Sequence, residues 1–169
     1  MITVAVSLIL LLFLACFGFY WDSREKDWTT STGSTFVMDT FVDQKFSGKQ
    51  SGLAVEKINE LLKNFENRFS AYVSSSEISR INQNAGLSYI QVSEETFDFL
   101  KTAKEYCKRS QGLFDITIGP LVDLWDITGE NPRVPDEREI QSVLKRVNYE
   151  DLLLREEDHS VMLRQEGQK

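Results

Sequence analysis

The sequence predicts an α+β fold of the mixed α/β kind, and three observations predict it. A β-branched and aromatic segment opens the folded part, amphipathic helical stretches follow, and two short apolar segments late in the chain read as a hairpin. The chain has 169 residues, of which 41% are hydrophobic and 27% charged, which suits one globular domain and leaves no room for a second full core.

Residues 2–21 are apolar and free of charge, about the length of roughly 20 residues that a helix needs to cross a bilayer. Two readings stay open: an uncleaved membrane anchor, or an export signal processed at Cys16, where Phe13-Leu14-Ala15-Cys16 sets a small residue before the candidate lipidated cysteine. No Lys or Arg precedes the run, and Arg24 and Lys26 follow it among Asp22, Glu25 and Asp27. Residues 22–34, rich in Ser, Thr and Gly, read as a linker, and the domain is expected over 35–169.

A strand is predicted over 35–46 and a loop over 47–52. Leu53, Ile58, Leu61, Leu62, Phe65 and Phe69 then recur at spacings of mostly three and four, one apolar stripe of a helix. Ser74 to Ser76 offer N-caps for a short helix that ends near Asn84 to Gly86. A brief extended piece over 89–92 leads to Ser93, which caps a longer helix through Phe97, Leu100, Ala103, Tyr106 and Cys107. Glu94 and Glu95 lie in its first turn and Lys108 and Arg109 in its last, both favourable against the helix dipole. Gly112 supplies the stop. Past Trp125, Pro132 and Pro135 keep the chain irregular, a helix is expected over 136–147, and segments 151–155 and 161–164 form the hairpin.

Several chemistries are disfavoured. The net charge of −7 argues against nonspecific nucleic-acid binding. His159 is the sole histidine and reads as a solvated turn residue, so a multi-histidine metal site is excluded. Cys107 reads as a small core residue, because no histidine lies near it in sequence to activate it. Neither a Gly-rich phosphate cradle nor a serine elbow is present.

What remains is aromatic and acidic. In residues 112–125, read as G-L-F-D-I-T-I-G-P-L-V-D-L-W, one acid sits inside an apolar, β-branched run. A buried carboxylate is costly unless paired, bonded or used, so Asp115 either caps the following turn or serves a ligand. Tyr72, between two helices, is either a lid on the core or a stacking face for a planar heteroaromatic ligand.

These residues carry a resemblance to the ApbE-type FAD:protein FMN transferases. The matching segments are Met38-Asp39-Thr40; Phe69-Ser70-Ala71-Tyr72 with Ser76-Glu77-Ile78-Ser79-Arg80-Ile81-Asn82; the stretch over 112–125; and the late hairpin. The resemblance implies a T-fold-like flavin transferase domain in an extracytoplasmic enzyme, held at the cell membrane by the N-terminal segment or a lipid. With magnesium, such an enzyme moves FMN from FAD onto a threonine of an acceptor flavoprotein such as a redox-pump subunit. By position, Met38 and Tyr72 would contact the flavin, and Leu113, Phe114 and Asp115 would line the FAD site. In the family an Asp-Leu-Gly segment follows the hairpin, and the later half brings the magnesium ligands and the catalytic groups. The resemblance therefore implies the N-terminal part of a family member, catalytically incomplete, with no catalytic residue assignable and Mg2+ ligands expected beyond Lys169. The alternatives are a noncatalytic, membrane-tethered FAD-binding or assembly module, and an interaction domain without a flavin connection.

Overall fold

The computed structural model describes residues 12–18, 20, 28–127 and 129–169. Residues 12–18 and 20 are helical, with Cys16 exposed. Most of the apolar run and most of the acidic and basic residues that follow it lie outside the described residues. Among the described residues no helix is long and apolar enough to cross a membrane. The chain divides into two compact units, Met1–Asn64 and Phe65–Lys169.

In the first unit the expected single strand is two. β1 (Thr29–Val37) and β2 (Thr40–Gly48) pair antiparallel from Thr29 opposite Gly48 to Val37 opposite Thr40. Residues 29–34, expected as linker, are therefore strand. The connection is the dipeptide Met38-Asp39, at φ of 51° and 56°. Two successive positive φ values make the tight turn whose twist matches antiparallel strands. Asn-Gly normally signals this turn, and Met-Asp hides it.

Helix α1 (Ser51–Phe69) starts in this unit. Gly33 lets it approach β1, since a Cβ there would sit 2.5 Å from Val55 Cγ1. Gln44 Nε2 donates to Asn59 Oδ1 at 2.6 Å between β2 and α1. The expected stripe is only partly covered: Ile58, Leu62 and Phe69 are half-buried, while Leu53, Leu61 and Phe65 are exposed.

The second unit follows the predicted order more closely. It contains α2 (Glu77–Gln83), β3 (Ile90–Gln91), α3 (Glu94–Arg109), α4 (Gly119–Trp125), α5 (Glu137–Leu144), β4 (Leu152–Arg155) and β5 (Ser160–Leu163). The hairpin β4–β5 is antiparallel, and β3 adds to β5 on its other edge, also antiparallel, in the order β3-β5-β4. Ser76 and Ser93 cap α2 and α3 as expected, and Asp136 with Glu139 forms a capping box on α5. Ile81 and Ala85 from the α2 region, Phe97 and Leu100 from α3, and Leu152, Val161 and Leu163 from the hairpin form one core. Cys107 is buried, as a core cysteine. His159 does sit in the hairpin turn, at φ 49°, but its ring packs 5.2 Å from that of Phe97 and is not simply solvated.

Candidate flavin site

The stretch over 112–125 is not β-type. Residues 113–118 form a loop, and Gly119 begins α4 with Pro120 at its first turn, where the fixed φ of proline suits a helix and its missing N–H costs nothing. The apolar run had hidden a helix start. Gln111 and Gly112, at φ of 56° and 81°, reverse the chain after α3.

Asp115 is the knot of this loop. Its Oδ1 accepts from the Thr117 backbone N–H at 2.8 Å and from the Thr117 hydroxyl at 2.7 Å. Its Oδ2 accepts from the Tyr149 N–H at 2.9 Å, and Thr117 Oγ1 in turn accepts from the Asn148 N–H at 2.9 Å. Both carboxylate oxygens thus serve the fold, tying this loop to the segment that leads into β4. The capping reading of Asp115 holds, with a long-range tie added to it.

The tie leaves the neighbouring side chains outside. Leu113 is 95% and Phe114 49% exposed, although the Phe114 N–H is fixed to Ser110 Oγ at 3.0 Å. Phe114 lines an apolar groove of about 390 Å3 together with Phe99, Thr102, Ala103, Tyr106 and Ser110 of the α3 segment. Tyr106, on the same helix as the buried Phe97, Leu100 and Cys107, is 57% exposed. A second spacing of three and four through Phe99, Thr102, Ala103, Tyr106 and Ser110 marks this other face, a signal present in the sequence and masked by the buried stripe.

Tyr72 sits on a separate pinned loop. Ser70 Oγ accepts from the N–H groups of Tyr72 and Val73 at 3.1 and 3.2 Å. The Ser70 carbonyl accepts from the hydroxyls of Ser76 and Ser79 at 2.5 and 3.2 Å. The ring is 68% exposed, so it is not a lid on the core. Tyr72, Leu113 and Asp115 do not line the α3 groove, and Phe114 does. Met38 lies in the first unit, half exposed in its positive-φ turn.

Glu77, inside the motif that follows Tyr72, binds the start of α3. Its carboxylate accepts from the Ser93 N–H at 2.9 Å, the Ser93 hydroxyl at 2.8 Å and the Thr96 hydroxyl. Burial alone pushes this carboxyl up, but the bonds from Thr96 and Ser93 and the nearby Arg68 charge outweigh it and hold the pKa below the usual 4.5. Burial pushes the Cys107 thiol up as well, and there it prevails, keeping the group further from the reactive thiolate. Among the described residues no group of three or more His, Cys, Asp or Glu side chains could hold a metal ion.

The ApbE family model matches residues 38–169, which takes in both pinned loops, the groove and the hairpin. This chain belongs to the ApbE family. Its ApbE relatives include the FAD:protein FMN transferase of Klebsiella pneumoniae, 30% identical over 134 residues, and that of Escherichia coli K12, 28% identical over 135 residues. These alignments take in 79% and 77% of this chain but 42% and 38% of the relatives. The chain thus spans about two fifths of the length of the curated relatives it matches. The crystal structure of the ApbE protein from Thermotoga maritima superposes with a TM-score of 0.77 at 30% identity, over 83% of this chain and 46% of that one. The flavin transferase ApbE from Vibrio cholerae does so with a TM-score of 0.72 at 25% identity, over 83% and 47%. The mixed α/β architecture is therefore that of ApbE flavin transferases.

Proposed function

We propose that this chain carries the FAD-binding portion of an FAD:protein FMN transferase. The observation that carries the reading is the placement of family-motif residues on two hydrogen-bonded loops that hold aromatic side chains outward, Phe114 in the lining of an apolar groove among them. Ligand pockets are mostly apolar and occupy about 300–1,000 Å3, a range the α3 groove enters at about 390 Å3. The isoalloxazine rings of FAD are flat and apolar on their faces, so Phe114 and Tyr106 offer edge and face contacts in the α3 groove. Asp115 acts as a positioning residue that fixes the loop bearing Leu113 and Phe114.

In the whole enzyme the hydroxyl of an acceptor threonine would attack the FMN-side phosphorus of FAD. The new bond is a threonyl phosphoester, the diphosphate P–O–P bond breaks, AMP leaves and the hydroxyl proton passes to a base. Magnesium would neutralise the charge of the diphosphate, and the family resemblance gives its ligands and the base to the later half of such an enzyme. The acceptor is an extracytoplasmic flavoprotein such as a redox-pump subunit. The apolar residues 2–21, or a lipid on Cys16, would hold the enzyme at the membrane facing that acceptor.

The test is to incubate the full chain with FAD, Mg2+ and a threonine-bearing acceptor, following both FAD binding and covalent flavin fluorescence on the acceptor. Binding without labelling is expected, because the chain matches only part of its relatives' length. Labelling by the chain alone would overturn the claim that transfer needs more than these residues, and absence of binding would overturn the FAD reading itself.

A further inference from the structure

The hairpin β1–β2 has two faces of different character. Val37 and Gln44 are buried and Thr35, Val42 and Phe46 half-buried on the side that meets α1, while the alternate residues of both strands are exposed. Most of that exposed set is polar, as water requires. Phe36 and Phe41 are not: they are register partners whose rings meet edge to face at 5.0 Å, yet they stay 59% and 71% exposed. Trp28, two residues before Thr30 and on the same side of the alternation, is 65% exposed. Aromatic rings thus stand at both ends of one face, with the hydroxyls of Thr30, Thr32, Ser34 and Ser47 between them. From Trp28 to Phe36 an extended strand spans roughly 26 Å.

Charge and chain length say what such a face meets. On the face itself Asp43 and Lys45 carry opposite signs. Residues 28–64 hold four acids and four bases, whereas residues 65–169 hold 19 acids and 13 bases, so the first unit by itself approaches an anionic lipid surface without net repulsion. Seven residues, 22–28, separate the apolar run from β1, and at about 3.5 Å each they reach no more than about 25 Å. A run held in the bilayer therefore keeps the start of the hairpin close to lipid. Exposed rings beside hydroxyls suit the headgroup layer, where the rings reach the acyl boundary and the hydroxyls find phosphate and ester oxygens.

We infer that the outward face of the β1–β2 hairpin lies on a lipid surface, with Trp28, Phe36 and Phe41 set in the headgroup layer. The inference rests on the membrane attachment proposed above and adds to it a second, folded contact. An anchoring segment alone leaves this unit free to rotate over the bilayer. A flat face with rings at both ends fixes which side of the hairpin is turned to lipid and leaves the α1 side away from it.

The experiment reconstitutes the full chain into vesicles of phosphatidylcholine and phosphatidylglycerol with brominated acyl chains, and reads flotation and tryptophan quenching separately. Trp21→Phe with Trp125→Phe leaves Trp28 as the sole probe; a second chain adds Trp28→Phe and Phe41→Trp, and thermal melts establish that each is folded. The expected result is that both chains float and that both probes are quenched about twofold by the brominated lipid, as groups seated at the acyl boundary are. Phe36→Ser with Phe41→Ser, in the chain whose probe is Trp28, is expected to remove most of that quenching and to leave flotation and melting unchanged. Flotation without quenching of either probe would overturn the inference and leave the anchor standing. No flotation would overturn both. Quenching of Trp28 that survives the double serine change would report only the nearness of the anchor and overturn the lipid-bound face, and probes shielded from lipid and from aqueous iodide alike would show the face covered by protein instead.

Discussion

The loop over residues 70–76 and the loop over residues 110–118 each hold an aromatic ring out of the core, but they are pinned at different ranges. In the first, Ser70, Ser76 and Ser79 bond one another's backbones within nine residues of chain. In the second, Asp115 reaches across 34 residues to the Tyr149 N–H, in addition to its local bonds to Thr117. Local hydroxyl ties order a turn that already exists. The carboxylate tie creates tertiary structure, because it fixes the groove-bearing end of α3 against the segment that enters the hairpin.

The difference predicts unequal costs. Asp115→Ala is expected to be the most damaging change, at about 3 kcal/mol, since two backbone donors and one hydroxyl lose their acceptor at roughly 1 kcal/mol or more each. Urea unfolding measures it, and a loss no larger than that of a serine in the other loop would erase the distinction. Glu77→Gln comes next, at about 2 kcal/mol near neutral pH, for loss of charged bonds to Ser93 and Thr96. Its pH signature is specific. The folded pKa lies below 4.5, so the carboxylate contributes stability above that pH and loses it as pH falls through the folded value. Melting temperature measured from pH 6 to pH 3 is expected to fall more steeply in wild type than in Glu77→Gln.

Ser76→Ala is expected to cost about 1 kcal/mol, the usual worth of a lost N-cap, and to leave the 110–118 loop unaffected. Smallest on stability are Tyr72→Ala and Phe114→Ala, each within about 0.5 kcal/mol because the rings are largely solvent-facing. Their effect is expected in FAD affinity, about threefold to tenfold each. A large stability loss with unchanged affinity would make these rings structural and sharpen the comparison against the account.

The same contrast explains what could be read from sequence. Ser76 and Ser93 were legible as caps because a cap is a local event, set by one side chain and the next turn. The Asp115 tie was legible only in its local half, the bonds to Thr117. Its partner at Tyr149 is chosen by packing, which no spacing rule reports. The turn at Met38-Asp39 was missed because methionine rarely takes a positive φ and no glycine follows Asp39, so two strands read as one. The helix start at Gly119-Pro120 was hidden by its β-branched neighbours, whose preference the proline position overrides. The α3 groove was missed since Phe99 and Tyr106 sit among residues that satisfy a buried stripe, and one helix can carry two apolar faces. The four motif segments were legible through resemblance.

The most direct test of the central claim, that the exposed rim of these pinned loops binds flavin, is a titration of the full chain into FAD followed by flavin fluorescence, with Phe114→Ala alongside. The account predicts saturable quenching in wild type, weakened severalfold in a Phe114→Ala chain that melts at the wild-type temperature. An absence of saturable quenching, or an unchanged affinity in the folded variant, would contradict it.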